Sequence, residues 1–123
     1  MVSPIDDDLA ILRSTHPTTV VELGEGDVGV VLEKIPLPPG WNRSETTILI
    51  RVPRAYPQAQ LDLFFAEAAL RLSSGAMPTN ASLTNLAGKD WLQFSWHPRS
   101  WRPGVDTLTR YLGFVKGRFK EVR

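Results

Sequence analysis

Ser95 and His97 are the residues of this sequence best suited to covalent chemistry. A serine hydroxyl becomes a nucleophile when a neighbouring base takes its proton, and histidine is the common base near neutral pH. In an extended segment residues two apart project to one face, so Ser95 and His97 are expected to point together while Trp96 turns into the core. Asp106 is expected in the first turn of the helix that follows, where its carboxylate can orient the imidazole as the third member of a triad-like relay. Backbone N–H groups at that helix start suit a developing oxyanion. A plainer reading stands beside this one. Ser-x-His pairs arise by chance, a histidine among tryptophans is often a hydrogen-bonded anchor, and an acid near a helix start simply complements the helix dipole. At the level of sequence both stay open.

The chemistry that is excluded is equally informative. The 123 residues contain no cysteine, which removes disulfides, thiolate metal sites and every thioester mechanism, and fits a reducing cytoplasm. With His16 and His97 as the only histidines, no metal site is expected, and the fold calls for no organic cofactor. His16, just before Pro17, is read as a helix C-terminal cap rather than a catalytic group.

Hydrophobic residues make up 42% and charged residues 22% of the chain, the balance of one globular domain spanning residues 1–123. No apolar run approaches the roughly 18 residues needed to span a bilayer, and Asp6, Asp7 and Asp8 stand where a secretory signal carries basic residues. A soluble, cytoplasmic protein without membrane association is expected. The formal charge is +1, yet most acids lie before residue 60 and most bases after it. Basic residues from Arg99 to Arg123 are read as the solvated face of a helix, and nucleic acid is not an expected partner because no recognition motif accompanies them.

These residues need elements to position them. Ser3-Pro4 reads as a helix start, with Ile5, Leu9 and Leu12 at helical spacing and an end near His16. From there β-branched residues at period two predict strands over 18–23, 28–35 and 46–52, and a fourth over 60–66. Leu61, Leu63 and Phe65 are assigned to one face of that fourth strand, Asp62 and Phe64 to the other. Connections this short imply a four-stranded antiparallel meander. Residues 67–104 show little periodicity and read as one long irregular segment. Val105, Leu108, Leu112, Val115 and Phe119 then predict an amphipathic C-terminal helix. Trp91, Trp96 and Trp101 are expected to pin the irregular segment by burying apolar area, each indole N–H seeking an acceptor. Trp41, following Pro38-Pro39-Gly40, is expected to be exposed on a loop and available to a partner.

The order of helix, meander, irregular segment and helix occurs with specific residues. Pro36-Leu37-Pro38-Pro39-Gly40 follows the second strand, Val52-Pro53-Arg54-Ala55-Tyr56-Pro57 follows the third, and Ser95-Trp96-His97-Pro98-Arg99-Ser100-Trp101-Arg102-Pro103-Gly104-Val105-Asp106 precedes the last helix. From roughly Pro4 to Arg118 the chain resembles the ubiquitin-conjugating-enzyme superfamily, and within it the prokaryotic branch called family E. The resemblance implies an α+β UBC-like fold. It also implies a place in a bacterial ubiquitin-like conjugation pathway, with a ubiquitin-like protein, a ThiF-type adenylating enzyme and a deubiquitinase-type metalloprotease as associates. Superfamily members carry the ubiquitin-like protein as a thioester on a cysteine, and the corresponding position here is Gln93. Their upstream His-Pro-Asn motif is absent as well. Two readings follow: a cysteine-less acyl carrier that holds the ubiquitin-like C-terminus as an oxyester on Ser95, or an inactive binding or scaffold module. For either, Trp41, Gln93, Arg99, Trp101 and Arg102 are the candidate binding residues.

Overall fold

A computed structural model describes residues 5–56, 58–61, 63–95, 101–102 and 105–123. The expectations for Ser3, Pro4, Pro57, Asp62, Trp96, His97, Arg99 and the Pro103-Gly104 turn lie outside these residues.

Helix α1 (Asp6–Arg13) carries Asp6, Asp7 and Asp8 in its first turn and buries Asp8, Leu9 and Leu12. The helix ends earlier than expected: Ser14 rather than His16 is its C-cap, and the His16 N–H donates to Leu12 O at 2.9 Å just beyond it. Six strands follow: β1 (Thr18–Gly24), β2 (Asp27–Pro36), β3 (Glu45–Val52), β4 (Phe64–Glu67), β5 (Ala81–Leu86) and β6 (Lys89–Phe94), and the chain closes with α2 (Leu108–Lys120). All pairings are antiparallel, in the order β1-β2-β3-β4-β6-β5.

The first three strands lie within a residue of their expected bounds, because β-branched residues cluster there and the turns are marked by glycine or proline. Two expectations are corrected. The sheet has six strands rather than four, since the stretch read as irregular contains the β5–β6 hairpin. The fourth strand begins at Phe64, not at residue 60, so Leu61 precedes it and packs in the main core while Leu63 packs under the opposite face. Within β4, Phe64 and Phe65 do take opposite faces, as alternation requires.

The main core lies between one sheet face and the two helices. It joins Ile48, Ile50, Phe64, Leu92 and Phe94 to Leu9 and Leu12 of α1 and to Leu112, Val115 and Phe119 of α2. Phe64 and Phe94 stack at 4.8 Å, and both meet Phe119 edge-on at 5.7 Å. Such ring pairs add stability beyond the apolar area they remove from water. The opposite sheet face holds a smaller cluster of Leu49, Phe65 and Trp91, flanked by Val21, Leu23, Val31, Leu63 and Leu86.

Trp41 corrects another expectation. It is 6% exposed, meets Phe119 edge-on at 5.7 Å and donates from Nε1 to Phe119 O at 2.8 Å. An indole that finds a backbone acceptor inside a core satisfies both its apolar body and its polar edge, so it leaves the loop for the interior. Gly40 beside it has φ +110, and a Cβ there would collide with Val122. The chain after α2 is tied down by Arg118, which is 1% exposed and donates to Thr79 O, Glu121 O and Arg123 O. No helix among the described residues is long and apolar enough to cross a membrane.

Candidate functional site

The candidate residues flank the connection from β6 to α2. Gln93 is a half-buried ladder residue of β6, opposite Phe65 of β4 on one side and Ser82 of β5 on the other. A residue paired through its backbone to both neighbours sits in a rigid stretch of sheet rather than on a loop. Its side chain shares the sheet face of Phe65 and Trp91, away from the helices. Ser95, two residues later, is exposed, and its N–H donates to Asn80 O at 3.0 Å. The ladder therefore continues to Ser95, and the hydroxyl-bearing residue stands at the last supported position of the sheet.

On the far side of the connection, Trp101 is half-buried and packs against the Tyr56 ring at 6.2 Å. Arg102 is exposed. Its N–H donates to Asp106 Oδ2 at 2.6 Å, its Nε lies 3.7 Å from the same oxygen, and Asp106 N donates back to Arg102 O at 2.8 Å. Asp106 thus closes a compact turn. It lies ahead of α2 rather than in its first turn, because Thr107 is the N-cap and accepts from Arg110 N at 3.2 Å. Val105, assigned to the apolar stripe of the helix, precedes it as well and is 47% exposed.

The start of α2 is held by residues from distant parts of the chain. Asp8 Oδ1 accepts from Thr109 N at 3.1 Å and from the Thr109 hydroxyl at 2.6 Å. Tyr56 donates its O–H to Asp8 Oδ2 at 2.9 Å and accepts from Leu108 N at the same distance. A carboxylate at a helix N-terminus meets both the orphan N–H groups and the positive end of the dipole. Burial pushes the Tyr56 phenol up to about 12; the Leu108 N–H opposes this and Asp8 adds to it. The phenol therefore remains protonated and donates to Asp8.

This arrangement corrects the expected oxyanion site. The N–H groups of Leu108, Thr109 and Arg110 already donate to Tyr56, Asp8 and Thr107, so the helix start is spoken for. Sequence reasoning misses Asp8 because it reads the three consecutive aspartates as acids standing where a secretory signal carries basic residues. The helical spacing that turns Leu9 and Leu12 inward also turns Asp8 toward α2, and Tyr56 of the Tyr-Pro pair is its partner. Among the described residues no group of His, Asp and Glu is gathered to hold a metal ion.

The described residues thus form a two-helix α+β domain with a six-stranded antiparallel sheet and a tryptophan-bearing connection between the last strand and the last helix. The family model described as prokaryotic E2 family E matches residues 5–121, and the chain belongs to that family. Comparison with curated proteins and with solved structures returns no match.

Proposed function

We propose that this UBC-like protein receives the C-terminus of a ubiquitin-like protein from a ThiF-type adenylating enzyme and holds it as an oxyester on Ser95. The observation that carries the reading is the placement of Ser95: exposed, anchored to Asn80 through its backbone, and at the point where β6 enters the segment leading to α2. Family membership supplies the conjugation context, and the absence of cysteine supplies the need for another acceptor.

In the proposed step the Ser95 Oγ attacks the activated carbonyl of the ubiquitin-like C-terminus. Its proton passes to His97, the bond from carbonyl carbon to the activating group breaks, and the ester bond to Oγ forms. Trp101 and Arg102 border the path of the incoming tail, and Arg99 is the third basic or aromatic residue assigned to its recognition. Asp106 acts through the turn it closes with Arg102, while the Asp8–Tyr56 pair fixes where α2 begins. Gln93 occupies the superfamily's thiol position as a neutral ladder residue that holds Ser95 in register.

A second reading is favoured by a specific observation. Asp106 Oδ2 already holds the Arg102 N–H at 2.6 Å, as in a structural turn, which suits a module that binds the ubiquitin-like protein or its activating enzyme without acylation. Intact mass spectrometry after incubation with the adenylating enzyme, ATP and the ubiquitin-like protein separates the two. The carrier gives an adduct that hydroxide removes and reductant does not, and Ser95→Ala abolishes it. Partner binding that survives Ser95→Ala, with no adduct on the wild-type chain, establishes the binding module instead.

A further inference from the structure

Of the basic residues on α2, Arg110 and Lys120 are exposed and Lys116 is half-buried, whereas Arg118 is 1% exposed. It departs from the solvated basic face expected of this helix. Taking a guanidinium out of water is costly, and an apolar side chain of like volume often stabilises a fold as well or better. What the charge holds therefore matters more than that it is buried.

Arg118 Nη1 donates to Glu121 O at 2.7 Å, and Nη2 donates to Arg123 O at 2.9 Å and to Thr79 O at 3.0 Å. The guanidinium also lies over the Phe94 ring, 5.2 Å from its centre. Thr79 and Phe94 are the residues that precede Asn80 and Ser95, and the bond from Ser95 N–H to Asn80 O anchors the backbone of residue 95. One buried side chain thus touches the neighbour of each member of that pair.

The segment before β5 has two forms open to it. Ala81 N donates to Pro78 O at 3.2 Å, closing a β-turn with Thr79 and Asn80 at its centre. Asn80 has φ 60 while Thr79 keeps a negative φ, the pattern of a type II turn. The competing type I turn needs a negative φ at Asn80 and is reached by rotating the Thr79–Asn80 peptide, which swings Thr79 O away from Arg118. Asparagine tolerates the left-handed region better than most residues, yet a type I turn accepts it as readily.

We infer that Arg118 is a positioning residue for Ser95: by holding Thr79 O it locks the 78–81 turn in the form that offers Asn80 O to the Ser95 N–H, and by lying on Phe94 it fixes the strand end from the other side. The inference rests on the reading of Ser95 as the acyl acceptor. A nucleophile displaced by about 1 Å loses on the order of a hundredfold in rate, so a rigid support for residue 95 has a catalytic consequence. Arg118 acts through two backbone segments and touches neither the hydroxyl nor the incoming carbonyl. Because Glu121 O and Arg123 O complete its set of acceptors, the chain after α2 and the acceptor residue share one anchor.

Amide hydrogen exchange and acylation kinetics of the full chain test this together. Arg118→Met removes the charge, and Arg118→Lys keeps it without the fork that reaches several carbonyls. In Arg118→Met the Ser95 N–H should exchange at least about tenfold faster relative to Leu49 N–H, which lies fully buried between β2 and β4 and reports global opening. Arg118→Lys should fall between. Asn80→Ala, at an exposed turn position, disfavours the left-handed backbone without disturbing the core and should speed Ser95 exchange likewise. Combined with Arg118→Met it should add little, since both release the same turn. With the adenylating enzyme, ATP and the ubiquitin-like protein, the saturated acylation rate should fall at least about fivefold in Arg118→Met and in Asn80→Ala, while the half-saturating concentration stays within about twofold. Ser95 exchange that moves only in step with Leu49, or an adduct that forms on the variants as fast as on the wild-type chain, would overturn the role of Arg118 and leave the acceptor standing. A wild-type chain that gives no adduct would overturn the acceptor reading itself and this role with it, whatever the exchange pattern.

Discussion

His16 and Lys116 approach to 3.4 Å between Nε2 and Nζ, joining the end of α1 to α2. The ammonium donates, so the imidazole accepts as a neutral ring. Burial, and then the Lys116 charge, lower the His16 pKa from its ordinary 6.5. The folded chain consequently binds fewer protons than the unfolded chain just below that value, and stability must fall as pH falls through it. His16→Gln should flatten the stability profile between pH about 7 and 5, measured by urea unfolding, while leaving the more acidic limb unchanged. That limb belongs to carboxylates such as Glu67, which burial raises but the Thr47 N–H, Arg43 and the Thr46 hydroxyl together hold below 4.5. An identical slope in the variant between pH about 7 and 5 would show that this pair is not the titrating element. At the same scale Trp41 shows a limit of residue-level reading. Nothing local distinguishes a loop tryptophan that faces a partner from one whose N–H finds Phe119 O, because that acceptor lies in the last helix.

Among elements, the start of α2 depends most on residues far away in sequence. Tyr56 is 6% exposed and both donates to Asp8 and accepts from Leu108 N, so Tyr56→Phe strands two polar groups at once. The expected loss is roughly 1–3 kcal/mol in chemical unfolding. Because Trp101 packs on the Tyr56 ring, tryptophan emission should shift in the folded variant as the α2 start loosens. A loss within a few tenths of a kcal/mol with unchanged emission would mean that Thr107 alone suffices as the cap.

The helices and first three strands were legible because apolar periodicity is a local property. β5 and β6 were not. The turn between them is Ala87-Gly88, with Ala87 at φ 54, where Asn-Gly or Asp-Gly would have announced a hairpin. β5 is also an edge strand whose exposed Ser82 and Leu83 blur the alternation. The bounds of α2 slipped for a related reason: Val105 continues the apolar spacing, yet Thr107 supplies the cap that begins the helix.

At the scale of the whole molecule, family membership followed from motifs spread over most of the chain, and the match to residues 5–121 covers the same extent. The chemistry of the site was less legible. Ser95 was identifiable as a hydroxyl near a histidine, but its position at the end of the ladder depends on β5 and Asn80, which no local pattern reveals. Asp106 was identifiable as an acid near a helix, but its turn with Arg102 is set by where the cap falls.

The proposed function requires that the acyl group rest on residue 95. The most direct measurement is intact mass of Ser95→Cys after incubation with the adenylating enzyme, ATP and the ubiquitin-like protein, beside the wild-type chain. Oxyester transfer predicts that the wild-type adduct resists thiols and yields to hydroxide, whereas the Ser95→Cys adduct is cleaved by thiols. No adduct on either chain, or an adduct whose lability is the same on both, would contradict it.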